Sequence, residues 1–317
     1  MTSEVERAAK LIAGSSEIVV IGHERPDGDA VGSMLALTMA LQEIGKRVWP
    51  VLAGGLPRKW QFLPGANQVR PELPAGEKLI VTVDTADIRR LGPLDVERVD
   101  LNFDHHPSNT QFGKINLVEP GAASTTAVLY RLFPELELPL EVDIASNLLL
   151  GLITDTLGFR TSSVSSNSLR IAAELIELGA DISDLYRKGL LGRSYEAVRY
   201  WAQGLSRMEL RDEVVWAVLR VSDRELAGYS SSDGADLIDV LTTIEGPRVA
   251  ILLVEQPEGQ VKISWRALPG VDVSRLASTF DGGGHELAAG AMMEGEVQEV
   301  VERVLTATFA AIVEADS

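Results

Sequence analysis

Short apolar runs alternate with amphipathic stretches over roughly the first 185 residues. The runs EIVVIG, RVWPVL, LIVTVD, DLNFD and KINLV have the length and apolar content of buried strands. Apolar positions at helical spacing lie between Ala30 and Ile44 and again near residues 123–133 and 142–153. This alternation predicts an α/β domain with a mainly parallel sheet flanked by helices. Because ligands bind beyond the carboxyl ends of parallel strands, we expect polar side chains at those ends to converge.

The rest of the chain predicts a second, smaller α/β domain. VVWAVLRV, PRVAILLVEQ and GQVKISWRAL read as strands, EQPEGQ as a hairpin turn and VQEVVERVLTATFAAIVEA as a C-terminal helix. The preceding segment GRSYEAVRYWAQGLSR predicts a helix that either links the domains or ends the first one. The 317 residues have room for two cores. We therefore predict an N-terminal domain at 1–190, a linker helix at 191–210 and a C-terminal domain at 211–317.

Composition narrows the chemistry and the partners. The absence of cysteine excludes disulfides, zinc–thiolate sites and thiol nucleophiles, and it favours a reducing cytoplasm. The net charge of −17 disfavours long DNA, whose affinity for proteins depends on lysine and arginine, and so favours a short substrate. Uncharged stretches fall short of the roughly 20 residues that cross a bilayer, so we expect a cytoplasmic protein without membrane contact.

All four histidines lie in Asp-rich or Gly-rich clusters. The first cluster, His23-x3-Asp27-x-Asp29, offers three metal ligands within a short loop. Mixed carboxylate and imidazole ligands suit manganese or magnesium. The alternative is a turn in which Asp29 caps a helix that begins near Ala30.

Two apolar segments end in carboxylates, LIVTVD at Asp84 and LLLGLITD at Asp155. An unpaired carboxylate at the end of a buried element is costly to desolvate, and a cation relieves that cost. We therefore expect both to be metal ligands. The alternative is that Asp84, or Asp87 in its place, caps a helix and that Asp155 only terminates an apolar element.

Asp104, His105 and His106 are consecutive in FDHHPSN. Adjacent histidines project in different directions, so one can bind a metal while the other faces a substrate. Asp104 can orient one of the two rings. The alternative is a pair of exposed histidines in a turn before Pro107.

The carboxylates of this candidate site need compensating charge. Two divalent cations balance the four negative charges of Asp27, Asp29, Asp84 and Asp155. Cations about 3.5–4 Å apart can share a water, lower its pKa and stabilise both oxygens of an in-line displacement at phosphorus. The sequence therefore predicts hydrolysis of a phosphoester.

A glycine-rich segment in the second domain is a candidate anion site. Gly282, Gly283, Gly284 and His285 precede the small-residue run ELAAGA, and we expect them to hold a phosphate at a helix N-terminus. Arg266 in KISWRAL adds a guanidinium suited to phosphate. The alternatives are a flexible loop and a surface arginine.

The motifs HERPDGDA, VTVD, DHHPSN and GLITDT, followed by KISWRAL, DVSRLASTF and GGGHELAAG, span nearly the whole chain. In this order they resemble the DHH phosphoesterase family, in its branch with the DHH-associated C-terminal domain. The size and layout are similar to stand-alone nanoRNase/PAP phosphatases and to cyclic-dinucleotide phosphodiesterases. Leu157 and Asp281 depart from the family pattern, since glycine is common at both positions. Asp281 is expected to weaken affinity for a highly charged substrate.

The resemblance implies a role for each candidate residue. Two manganese ions, or magnesium or cobalt instead, would be bound by six ligands, with Asp84 bridging: His23, Asp27, Asp29, Asp84, His105 and Asp155. His106 would meet the scissile phosphate as electrophile or acid. Arg266 and the Gly282–His285 segment would hold the distal phosphate or nucleotide across an interdomain cleft. Ser124, Thr125 and Arg160 would be further substrate contacts.

The leading hypothesis is a manganese-dependent phosphoesterase acting on short substrates: RNA of a few nucleotides, pApA-type dinucleotides or 3'-phosphoadenosine 5'-phosphate (pAp). Cyclic di-AMP phosphodiesterase is an alternative. Inorganic pyrophosphatase is disfavoured by the GGGH segment, and a processive DNA exonuclease by the acidic charge. A nucleotide sensor without activity is disfavoured because all six ligand-type residues are present. The sequence is compatible with a homodimer.

Overall fold

The computed structural model describes residues 2–316, and the chain divides into two compact units between Gly192 and Arg193. The first unit is built on a five-stranded sheet in which every neighbouring pair is parallel. Its strands, in the spatial order β2-β1-β3-β4-β5, are β1 (Glu17–Ile21), β2 (Arg47–Val51), β3 (Leu79–Val83), β4 (Val99–Asp104) and β5 (Gly113–Val118). The predicted parallel α/β domain is confirmed.

Six α-helices belong to the described part of this first unit. They are α1 (Thr2–Ala13), α2 (Gly28–Glu43), α3 (Thr125–Leu132), α4 (Val142–Asp155), α5 (Ser166–Glu177) and α6 (Ile182–Tyr186). The larger core forms where these helices pack against one face of the sheet. The opposite face buries a smaller cluster that includes Val19, Ile21 and Leu91. Strands covered on both faces explain the near-continuous apolar runs in the sequence.

Glycines allow α2 and α4 to approach closely. A Cβ atom at Gly32 would lie 2.4 Å from the carbonyl oxygen of Asn147, and one at Gly28 would lie 2.3 Å from Oγ1 of Thr154. Real Cβ atoms do not tolerate such distances, so the backbones meet here because side chains are absent. This contact places the start of α2 beside the end of α4.

The second unit contains a six-stranded sheet in the order β10-β11-β9-β8-β7-β6. Only the β7–β8 pair is parallel. The strands are β6 (Glu209–Arg211), β7 (Val214–Leu219), β8 (Val249–Gln256), β9 (Gln260–Ala267), β10 (Gly283–His285) and β11 (Ala288–Glu294). The helices are α7 (Tyr195–Leu205), α8 (Val221–Ala227), α9 (Leu237–Leu241), α10 (Val273–Ser278) and α11 (Val297–Ala315).

The two faces of this sheet are covered differently. One face packs Ile251, Ile263 and Trp265 against α10 and α11. The other face is covered by α7, α8 and α9, which pack against β7 and β8 and bury Tyr200. The predicted hairpin is present, with β8 and β9 joined at Gln256 and Gln260.

The helix α7 lies within the segment 191–210 predicted as a linker helix, and its Tyr200 is buried in the core of the second unit. One prediction for this region is wrong. The run after Gly282–His285 is not a helix, since β10 and β11 form an antiparallel hairpin. Its small residues fit a strand because β11 also pairs with β9 and buries Ala289 and Ala291. The glycine segment therefore lies in a hairpin and not at a helix N-terminus.

Among the described residues, no helix has the length and hydropathy needed to span a bilayer.

Candidate active site

The candidate ligands converge at the carboxyl edge of the parallel sheet. Asp84 follows β3 directly, and His105 follows the last residue of β4. His23 lies two residues beyond β1, in the loop that leads into α2. Because α2 and α4 meet through glycines, Asp29 in the first turn of α2 comes close to Asp155, the last residue of α4. The structure thus brings together all six side chains that the sequence proposed as ligands.

The six side chains form two groups with the dimensions of metal sites. His23, Asp27 and Asp84 form one group, and Asp29, His105 and Asp155 form the other. Within each group the possible ligand atoms all lie within 4.8 Å of one another. Imidazole nitrogen and carboxylate oxygen without sulfur are donors that suit Mn²⁺. The residues present therefore fit a pair of divalent cations.

Asp84 lies between the two groups. Its Oδ2 is 3.6 Å from Nε2 of His23, and its Oδ1 is 3.7 Å from Nε2 of His105. The residue is buried, and its φ of 53° lies in the left-handed region that non-glycine residues rarely occupy. The helix cap weighed as an alternative is supplied by Asp87, whose Oδ1 accepts from the backbone N–H of Arg89 in the short helix Ile88–Leu91.

Asp27 combines the capping and the ligand interpretations. Its Oδ1 accepts hydrogen bonds from the backbone N–H groups of Asp29 and Ala30, both at 3.0 Å, so it is the N-cap of α2. Its Oδ2 lies 4.0 Å from Nε2 of His23. One carboxylate oxygen therefore caps α2, and the other faces His23 in the same donor group. The cap is therefore Asp27, two residues before Asp29, which the sequence offered as the alternative.

The adjacent histidines are held by different hydrogen-bond partners. His105 donates from Nδ1 to the carbonyl oxygen of Ala122 at 3.2 Å, which leaves Nε2 facing Asp29, Asp84 and Asp155. His106 instead donates from Nδ1 to Oδ1 of Asp104 at 2.7 Å. His106 also comes within metal-ligand distance of Asp84 and His105, but its Nδ1 is already bonded to Asp104. The geometry therefore distinguishes His105 as the ligand-type ring.

Carboxylate crowding shifts the protonation of the site. Burial and the charge of Asp84 hold the pKa of Asp29 well above its ordinary value. Burial also raises the pKa of Asp155 to about 7, although His105 partly offsets it. These two carboxyls favour a proton when no other positive charge is present. A cation would replace that proton.

The pKa values of His106 and His23 are raised, whereas the pKa of Asp84 is lowered. Burial opposes charge on His106, but the hydrogen bond to Asp104 and the charge of Asp84 outweigh it and raise the pKa to about 9. Burial likewise opposes the charge of His23, and contacts with Asp84 and Asp27 still raise its pKa. For Asp84, burial is outweighed by His23, His106 and His105, which lower its pKa. Asp84 is thus the carboxylate that keeps its negative charge.

The N-terminus of α3 supports the ligands, a role that the sequence interpretation missed. Oδ2 of Asp29 accepts from the backbone N–H of Thr125 at 2.6 Å, and Oδ1 accepts from the backbone N–H and the hydroxyl of Thr126. The hydroxyl of Thr125 donates to Oδ1 of Asp84 at 2.8 Å. The run STTAV signals a helix start, but nothing in it identifies partners so distant in sequence.

Ser124 and Thr125 do not have the exposure expected of substrate contacts. Both are fully buried. The hydroxyl of Ser124 caps α3 by accepting from the backbone N–H of Ala127, and it also pairs with the hydroxyl of Thr126. Burial and internal hydrogen bonds therefore argue against their predicted contact with substrate. Arg160 is exposed, and its Nε donates to the carbonyl oxygen of Leu157 in the segment after α4.

Arg90 is a further residue beside the site that sequence reasoning passed over. Its guanidinium Nη2 lies 3.2 Å from Nδ1 of His23. Its carbonyl oxygen accepts from the backbone N–H of Glu24 at 2.7 Å, which ties its segment to the loop after β1. Arg90 is exposed, so it brings a positive charge to the edge of an otherwise acidic cluster.

The second unit places Arg266 and His285 on one face of its sheet. His285 is paired in register with Ala288, which is paired with Arg266 on β9. Residues paired in this way project to the same side, so the two side chains are separated by one alanine and by roughly 10 Å between backbones. Trp265 is buried on the opposite face.

Two domain descriptions match the sequence. The DHH family, N-terminal domain, matches residues 17–152, and the DHHA1 domain matches residues 214–314. A relative from Thermus thermophilus, named bifunctional oligoribonuclease and PAP phosphatase NrnA, is 34% identical over 304 residues, which cover 95% of this chain and 91% of the relative. The chain belongs to the DHH family. It is accordingly a metal-dependent hydrolase of phosphoester bonds, and the resemblance drawn from its motifs is confirmed.

Solved structures share the fold. An exopolyphosphatase-related protein from Bacteroides fragilis matches with a TM-score of 0.90 and 23% identity, over 100% of this chain and 98% of that protein. RecJ from Thermus thermophilus, solved in complex with Mn²⁺, matches with a TM-score of 0.54 and 16% identity, over 98% of this chain and 55% of RecJ.

Proposed function

We propose that this DHH-family chain is a manganese-dependent phosphoesterase that hydrolyses short phosphorylated nucleotides. Its substrates would be RNA of a few nucleotides, pApA-type dinucleotides and pAp. The observation that carries the proposal is the pair of donor groups that meet at Asp84, with His106 held beside them. The printed name of the Thermus thermophilus relative, an oligoribonuclease and PAP phosphatase, supports the substrate class.

The proposed chemistry divides between metal and protein. Two divalent cations in these groups would lower the pKa of a shared water and neutralise charge on a phosphoryl group. The protein holds the six ligands His23, Asp27, Asp29, Asp84, His105 and Asp155. Asp104 holds His106 through Nδ1, which leaves Nε2 to donate to a phosphoryl oxygen or to the leaving group. Manganese is the proposed metal, with magnesium or cobalt as alternatives.

In the second unit, we assign Arg266 and the Gly282–His285 segment to the substrate's distal phosphate or nucleotide. The register that places Arg266 and His285 on one face supports this assignment. The guanidinium supplies paired donors for a phosphate. A substrate with few phosphates also agrees with the net charge of −17, which penalises long polyanions. A cytoplasmic location stays a prediction that rests on the cysteine-free composition.

The alternatives differ in what they require of the second unit. Inorganic pyrophosphatase is disfavoured because residues 214–314 match the DHHA1 domain, which we do not expect in that enzyme. A sensor without activity is disfavoured because the six donor side chains remain grouped. Cyclic di-AMP is kept as a second substrate to be tested, since the same phosphodiester chemistry serves it.

A substrate panel tests the proposal. Protein freed of metal by a chelator is assayed with and without Mn²⁺ against pApA, pAp, short RNA, cyclic di-AMP, pyrophosphate and long single-stranded DNA. We expect metal-dependent turnover of pApA, pAp and short RNA and none of pyrophosphate. Absence of turnover of every nucleotide, with Mn²⁺ binding verified by calorimetry, would overturn the proposal.

A further inference from the structure

Thr125 is bonded to two candidate ligands that come from different parts of the fold. Its backbone N–H donates to Oδ2 of Asp29 at 2.6 Å, and its hydroxyl donates to Oδ1 of Asp84 at 2.8 Å. Asp29 belongs to the start of α2, whereas Asp84 follows β3. A single residue at the start of α3 therefore joins one carboxylate of each donor group.

The environment of Thr125 leaves its hydroxyl little freedom. The residue is fully buried, so no bulk water competes for either hydrogen bond. Thr125 is the first residue of α3, and a threonine in a helix has two favoured rotamers, so few directions are open to its hydroxyl. α3 is itself capped by Ser124, whose hydroxyl accepts from the backbone N–H of Ala127 at 3.0 Å. The buried hydrogen bond therefore holds the hydroxyl towards Asp84.

Asp84 is the ligand for which a fixed orientation matters most. Its two oxygens face different histidines, with Oδ2 at 3.6 Å from His23 and Oδ1 at 3.7 Å from His105. Rotation of this carboxylate would move one oxygen out of its group. Because Thr125 bonds Oδ1, it opposes that rotation on the His105 side. His105 receives separate support from Ala122, so each ligand at this point has its own hydrogen-bond partner.

We propose that Thr125 is a positioning residue that fixes the orientation of the Asp84 and Asp29 carboxylates. It thereby sets the affinity of the two donor groups for Mn²⁺. The inference rests on the metal binding of the proposed function but on none of its substrates. Partners that orient metal ligands typically change affinity by about 10–100-fold when they are removed. Thr125 is not expected to contact substrate.

The test compares variants of the full-length protein that differ in the hydroxyl. Thr125→Val replaces the hydroxyl by a methyl of similar size. Thr125→Ser and Thr125→Ala both lack the methyl and differ only in the hydroxyl. We expect Thr125→Val and Thr125→Ala to bind Mn²⁺ about 10–100-fold more weakly than wild type in calorimetric titration of metal-free protein. Thr125→Ser is expected to stay within about threefold of wild type, because it keeps the donor.

Thr82→Val is the matched control. Thr82 is also fully buried, and its hydroxyl donates at 2.9 Å to Oδ1 of Asn102, which is not one of the six ligands. It is expected to lower the melting temperature of the metal-free protein without changing Mn²⁺ affinity. Electron paramagnetic resonance of the loaded protein adds a second readout, since altered spacing of two Mn²⁺ ions changes their magnetic coupling.

Wild-type Mn²⁺ affinity and an unchanged spectrum in Thr125→Val would overturn the inference. If that variant does not fold, equal affinities for Thr125→Ser and Thr125→Ala would overturn it instead. Neither result would touch the substrate proposal. Conversely, a wild-type protein that binds Mn²⁺ but cleaves no nucleotide would defeat the proposed function and leave the role of Thr125 standing.

Discussion

Asp104 accepts a hydrogen bond from Nδ1 of His106 at 2.7 Å, and this contact gives His106 a different role from His105. The same oxygen of Asp104 accepts from the backbone N–H of His105, and Oδ2 accepts from the amide of Asn109. Asp104 is fully buried, so its orientation is determined by these bonds. The ring of His106 is therefore anchored at one nitrogen and available at the other.

Asp104→Asn tests whether this anchoring serves turnover. The change removes the charge that favours a protonated His106, and it places an amide N–H₂ group among three groups that already donate to Asp104. We expect kcat to fall by about 10–100-fold while Mn²⁺ affinity stays within a few-fold of wild type. Steady-state kinetics with metal analysis measures both quantities. A large loss of bound Mn²⁺ would show instead that Asp104 supports the metal groups.

The neighbouring histidines give a paired prediction. His106→Ala should lower kcat by about 100-fold or more, because a positioned acid is lost, and should retain Mn²⁺. His105→Ala should lose Mn²⁺, because Nε2 of His105 faces Asp29, Asp84 and Asp155. Elemental analysis and kinetics of the two variants, purified identically, distinguish the roles. Equal metal loss in both would contradict this division.

Asp84→Ala should abolish activity without unfolding the protein. The change removes a carboxylate that belongs to the group of His23 and Asp27 and that also lies 3.7 Å from His105 in the other group. It also removes a charge that raises the pKa of Asp29 and Asp155. Repulsion between carboxylates in the metal-free protein therefore decreases. We expect turnover below detection and a circular dichroism spectrum like that of wild type. Measurable turnover at saturating Mn²⁺ would argue against a central role for Asp84.

The sequence was sufficient to bring the six donor residues into one hypothesis. Each lies where an apolar element ends or in the loop just after one, and parallel strands end at a common edge. Asp84 is an example, because LIVTVD reads as a buried strand that stops at a carboxylate. The sequence also distinguished two roles for His105 and His106. The family resemblance assigned metal binding to His105 and the phosphate to His106, and the hydrogen bonds to Ala122 and Asp104 add a physical basis for that division.

What the sequence could not supply were contacts between distant residues. Thr125 and Asp29 are 96 positions apart, and threonine at a helix start is common for reasons unrelated to metals. The Gly282–His285 segment was expected at a helix N-terminus because it precedes the small-residue run ELAAGA and its bare backbone can approach an anion. In the structure that run is a strand, because β11 pairs with β10 and β9. Tertiary packing, which has no local signature, decided both cases.

Metal binding should strengthen as the pH rises. The pKa of Asp155 is raised to about 7, and that of Asp29 is also raised, so the metal-free folded protein holds protons that the unfolded chain loses near pH 4. These two groups therefore destabilise the metal-free fold increasingly as pH rises through that window. Mn²⁺ replaces the protons, so its gain in melting temperature should grow between pH 5 and 7.5. Calorimetric melts with Mn²⁺ or with chelator measure this, and a gain independent of pH would contradict it.

Substitutions at Gly283 and Gly284 distinguish an effect on folding from an effect on substrate binding. A Cβ atom at Gly283 would meet no other atom within 4 Å, whereas one at Gly284 would lie 2.4 Å from the carbonyl oxygen of Ala288 at a φ of +151°. The hairpin thus requires glycine at 284 but not at 283. If a phosphate approaches this backbone, Gly283→Ala should raise KM by about tenfold at an unchanged melting temperature. Gly284→Ala should lower the melting temperature as well, and wild-type KM in Gly283→Ala would place the substrate elsewhere.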